Sequence, residues 1–106
     1  MGHNPKNFIY VVQVTDCTED EEENHLLPES FLSRAEARKR LASEARSQLS
    51  IDKGLMLEDV DLGDLDNEDE VVLVERYLPT YFVRIEVLEL ELYNTFAESE
   101  GTDPNS

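Results

Sequence analysis

The chain has 106 residues and a formal charge of −16 at pH 7, from 25 acidic and 9 basic side chains. That length supports one cored domain rather than two, and 40% apolar content suffices to build its core, which argues against wholesale disorder. No apolar run reaches the roughly 18–20 residues of a membrane helix, no basic-then-apolar leader stands at the start, and the negative charge disfavours direct contact with nucleic acid phosphates.

In chain order, the segment from Phe8 to Val14 is β-branched and aromatic almost throughout and reads as a strand apolar on both faces, hence central or covered. The acidic stretch after it, through Asn24 and His25 to Pro28, reads as a solvated loop, with Leu26 and Leu27 touching the core or forming a short extra strand. Ser33 and Glu36 have the spacing of a capping box, which predicts a helix from about Arg34 to about Ser50, with Gly54 as a stop signal just beyond. At about 100° per residue, Ala35, Leu41, Ala42, Ala45 and Leu49 share an arc with Arg38 inside it, opposite Glu36, Arg40, Glu44 and Ser47. The alanines predict close approach of this helix to a sheet.

Residues 51–70 mix apolar positions with aspartates that discourage regular structure, so an irregular connection is expected, leucines inward and carboxylates outward. Val71 to Tyr77 reads as a second strand, Leu78-Pro79-Thr80 as a short connection, and Tyr81 to about Tyr93 as a long third strand. In that last strand Tyr81, Val83, Ile85 and Val87 share a face, whereas Leu88, Leu90 and Leu92 take the other. The phase change at Val87-Leu88 predicts a bulge, or a strand passing from one packing surface to another. The expected fold is therefore α+β: a three-stranded, mainly antiparallel sheet in the order β-α-β-β, one helix on a face, and long acidic loops. Residues 1–95 are expected to form this single domain and 96–106 a disordered tail. One helix cannot cover both faces, and leftover Ile9, Val11, Leu88, Leu90 and Leu92 give a reason to expect a homodimer or a protein partner.

The charge is not spread evenly. Residues 15–29 hold seven acids and no base, including the run Glu19-Asp20-Glu21-Glu22-Glu23. Residues 30–50 reverse to +3 through Arg34, Arg38, Lys39, Arg40 and Arg46, and residues 51–70 return to −8. Adaptation to high salt would spread acid over every exposed face, so two acidic blocks flanking a basic helix read as a local arrangement. The helix cations have two possible targets, an acidic loop of the same chain or an acidic partner.

Chemistry finds little support. Cys17 stands beside Asp16, Glu19 and Asp20, which oppose thiolate formation, and as the only cysteine it makes no internal disulfide, in keeping with a reducing, cytoplasmic compartment. His25 has no serine or cysteine in a nucleophile motif to serve, and the four glycines make no phosphate-binding loop. The segment Asp59–Glu70 has acids at positions 1, 3 and 12 of a calcium loop, but Gly63 falls at position 5 and Asp64 at position 6, so the turn and one ligand are lost. His3, Cys17 and His25 lack the spacing of a transition-metal site. No catalytic residue, metal or cofactor is expected.

The functional content lies in the acidic blocks, which repel themselves and would attract basic proteins strongly. In size and charge the chain resembles small phage-encoded DNA-mimic proteins that inhibit host defence, such as anti-restriction and anti-CRISPR inhibitors. That resemblance implies a non-enzymatic inhibitor or regulator that occupies the cleft of a basic nucleic-acid-binding protein or nucleoprotein complex. The candidate contacts are Glu19, Asp20, Glu21, Glu22 and Glu23 in one patch, and Asp59, Asp61, Asp64, Asp66, Glu68, Asp69 and Glu70 in the other. The alternative is an interaction or assembly domain that binds by an apolar sheet face or edge, its acids serving solubility. Salt separates the two: charge mimicry fails as ionic strength rises, and apolar docking persists.

Overall fold

The computed structural model describes residues 7–78 and 80–92, and the expected tail at 96–106 lies outside them. The chain runs through strand β1 (Asn7–Cys17), strand β2 (Glu22–Phe31), helix α1 (Arg34–Ile51), strand β3 (Leu55–Glu58), a 3-10 turn (Leu62–Asn67), strand β4 (Glu70–Glu75) and strand β5 (Phe82–Leu92). The strands form one sheet in the order β2-β1-β5-β4-β3, every neighbouring pair antiparallel. The expected three-stranded β-α-β-β sheet is thus corrected to five strands; the class, α+β, is unchanged. Both additional strands are edges. β3 is four residues long, and β2 is acidic, mostly exposed and interrupted by Pro28, so neither shows the apolar alternation of a covered strand.

β1 and β5 form the spine, paired without interruption from Asn7↔Leu92 to Cys17↔Phe82. No bulge interrupts this pairing at Val87-Leu88: the strand runs straight, and the change in apolar phase marks the passage from the helix-covered face to the open one. The irregularity lies elsewhere, between β1 and β2, where Val11 pairs with Ser30 but Gln13 with Leu26. The extra β2 residues there include Pro28, which has no N–H to give the ladder.

The long acidic loop expected after β1 is instead a tight hairpin. Thr18 N–H donates to the Glu21 carbonyl (2.8 Å), and Glu21 N–H donates to Thr18 Oγ1 (3.2 Å). The chain enters β2 directly from it. The connection at 51–70 is also more regular than expected, holding β3 and the 3-10 turn, although it does tuck Leu55 and Leu65 into the core.

α1 begins where the capping signal places it, with Ser33 Oγ accepting from Glu36 N–H at 3.1 Å. It carries the chain from one sheet edge to the other. Its buried residues are Ala37, Leu41, Ala42 and Ala45; Ala35, expected on the inner arc, is exposed. At 100° per residue Ala35 lies about 120° from Leu41, just outside the arc centred on Leu41 and Ala45, whereas Ala37 lies within it. These small side chains let α1 sit close on Val12 and Val14 of β1, Leu73 of β4, and Val83 and Ile85 of β5. The helix ends at Asp52, whose N–H donates to the Gln48 carbonyl (2.9 Å). Gly54 serves close approach rather than a left-handed stop: a Cβ there would overlap the Glu75 carboxylate.

Candidate functional site

The two acidic blocks have different fates. Glu19 and Asp20 form the tip of the β1–β2 hairpin and Glu21 closes it, all exposed. Glu22 and Glu23 open β2, and strand alternation turns them to opposite faces. An open groove of about 360 Å³ runs along this hairpin, lined by Cys17, Thr18, Glu19 to Glu22 and Phe82.

The second block is partly consumed by the basic helix. Arg38 grips Asp69 through Nε (2.7 Å) and a terminal nitrogen (3.3 Å), and Arg34 joins the same carboxylate at 3.4 Å. These guanidinium contacts hold the Asp69 carboxyl below its ordinary value, the hydrogen bond from Arg38 contributing most. Arg46 approaches Asp66 at 3.5 Å, and Arg40 is held by Glu29 and Glu44, both at 3.2 Å. Arg34 also stacks over the Tyr10 ring, 5.2 Å from its centroid, and contacts Glu89 at 3.3 Å. Of the two possible targets of the helix cations, Arg34, Arg38 and Arg46 take the internal acidic block, whereas Arg40 pairs with Glu29 of β2 and Glu44 of its own helix and Lys39 is exposed. Asp66 and Asp69 are therefore structural residues as well as candidate contacts.

Asp59, Asp61 and Asp64 of that block face outward. Asp59 follows β3 in the left-handed region (φ 66°), which aspartate tolerates better than most residues. Asp61 precedes the 3-10 turn without a side-chain capping bond, Asp64 lies in its first turn, and both are exposed. Glu68 is half-buried near Arg38.

Glu70 brings the two blocks into contact. On the sheet face away from α1, Arg84 of β5 lies 3.4 Å from Glu22, 3.8 Å from Glu70 and 3.7 Å from Glu86. One guanidinium is thus shared by three carboxylates from three strands. Sequence reasoning missed Arg84 and Glu86; the signal was available, because Phe82, Arg84, Glu86, Leu88 and Leu90 occupy one face at period two.

Nothing among the described residues assembles a nucleophile. The Cys17 thiol is buried, and burial first, then Glu22, pushes its pKa up. His25 is exposed on β2, opposite Val14. Among the described residues no group of three or more His, Cys, Asp or Glu is placed to hold a metal ion, and no helix is long and apolar enough to cross a membrane. No known protein family, curated protein or solved structure matches the chain.

Proposed function

We propose that this chain is a non-enzymatic acidic binding protein of the cytoplasm that occupies the cationic cleft of a nucleic-acid-binding partner, as phage-type anti-defence inhibitors do. The observation that supports this most directly is the outcome of internal pairing. The four helix arginines are held by Glu29, Glu44, Asp66, Asp69 and Glu89 rather than by the hairpin tip or by Asp61 and Asp64, and Lys39 is the one helix cation outside these pairs. The excess carboxylates face solvent on a folded scaffold. A cleft that attracts one phosphate per 1.7 Å of duplex axis attracts such a surface by the same Coulomb forces.

The test is retention of a bacterial lysate on the immobilised protein at low salt, with elution by salt steps and separately by duplex DNA. A basic nucleic-acid-binding protein should be retained and should leave with either eluant. Glu19→Lys/Asp20→Lys/Glu21→Lys, or Asp61→Lys/Asp64→Lys, should lower its affinity at least tenfold while leaving the circular dichroism spectrum unchanged. Retention indifferent to salt, DNA and both reversals would remove the proposal.

A further inference from the structure

The face of the sheet turned away from α1 has a pattern that the acidic blocks do not explain. At one end lie Ile9 and Val11 of β1 beside Leu88 and Leu90 of β5, paired as Ile9↔Leu90 and Val11↔Leu88. Leu90 is 39% exposed, and Leu26 on the neighbouring β2 is 52% exposed. Ile9 and Leu88 are half-buried and Val11 is buried between its neighbours, and none of the five belongs to the core cluster under α1. Adjoining this patch is a polar belt: Gln13 in β1, covering the fully buried Thr15 beside it, with Arg84 among Glu22, Glu70 and Glu86. Its guanidinium-to-carboxylate distances exceed the roughly 2.7–2.9 Å of a good charge-assisted hydrogen bond. The belt carries a net charge of about −2, one cation against three carboxylates held side by side.

We infer that this open face receives a basic amphipathic segment of the partner, its apolar side chains on the Ile9–Leu90 patch and its lysine or arginine on the Glu22–Glu70–Glu86 belt. The inference rests on the function proposed above and deepens it by naming a second contact surface of different chemistry. Charge complementarity selects the occupant. A second copy of the chain would set two such belts and two charges of −16 against one another, and an anionic lipid surface or nucleic acid would be repelled likewise. A segment that supplies cations without apolar groups would leave the patch uncovered. Charge at the hairpin then governs encounter, and the open face supplies the shape specificity that charge lacks.

Two synthetic peptides of equal length and equal positive charge test this, one a leucine–lysine amphipathic helix former and the other with its leucines replaced by glutamine. Each is titrated into the full-length, isotope-labelled protein at 50 mM salt and followed by amide chemical shifts. The amphipathic peptide should bind at least tenfold more tightly, with shifts centred on Val11, Gln13, Glu86 and Leu88. Leu88→Ser/Leu90→Ser should reduce its affinity to that of the polar peptide. Glu86→Gln, which leaves the apolar patch intact, should weaken both peptides several-fold. Equal affinities, or shifts confined to residues 18–23, would overturn the inference and leave the acidic-docking proposal standing. Binding of neither peptide would count against both. Open-face shifts that change on dilution of the protein alone would assign the face to a second copy and overturn the inference.

Discussion

Asp69 lies between two guanidinium groups, Arg38 at 2.7 Å and Arg34 at 3.4 Å. Asp69→Asn removes the charge but keeps the shape, and should cost about 1 kcal/mol at pH 7, given that the pair is partly exposed. Because the folded-state value of this carboxyl lies below its ordinary 3.8, its contribution is complete above that pH and is lost as pH falls through the folded value. The difference between wild type and Asp69→Asn in urea midpoints should therefore be full at pH 7 and close in strong acid. Cys17 makes a second residue-level prediction. With its thiol buried and its pKa raised, native protein at pH 8 should react with a disulfide reagent at less than about a tenth of the rate of the urea-unfolded chain.

At the level of elements, the helix was the most legible part of the sequence because its start depends on one local bond. Ser33→Ala removes the acceptor of Glu36 N–H and should cost about 1 kcal/mol, read as a fall of roughly 4–8 °C in the melting temperature. β1, β4 and β5 were legible for a related reason: each buries apolar side chains at regular spacing, Val12 and Val14, Val71 and Leu73, Val83 and Ile85. β2 was legible only as the short extra strand allowed at Leu26 and Leu27, because an edge strand is specified by its neighbour's free backbone groups, and a sequence such as Glu22-Glu23-Asn24-His25 can meet that demand while looking like a loop. The acidic candidate residues were legible as a list but not as an arrangement. Which of them the helix arginines hold, and that Arg84 joins Glu22 to Glu70, depends on strand order. Amide exchange should follow the same hierarchy, slowest in the central halves of β1 and β5 and at least tenfold faster in β2 and β3.

For the molecule as a whole, 25 acids against 9 bases make self-repulsion the dominant long-range term. Raising NaCl from 20 to 300 mM weakens the arginine pairs but screens a larger number of like-charge contacts. The melting temperature should rise, by about 4–8 °C if the net gain is near 1 kcal/mol. A fall would mean that the pairs on Asp66, Asp69 and Glu89 outweigh the repulsion. The strand order has a different consequence. The two strands of the spine, β1 and β5, are the first and last described, so the β1 segment 7–17 finds its spine partner only in residues 82–92. During synthesis, a nascent chain that has emerged through β4 has neither the β1–β5 ladder nor the Val83–Ile85 wall of the core, and can hold little more than a frayed α1 and the separate β1–β2 and β3–β4 pairs. Folding therefore waits for the ribosome to release β5, and refolding in a stopped-flow mixer should take milliseconds to seconds, as expected for a topology closed by its most distant contacts.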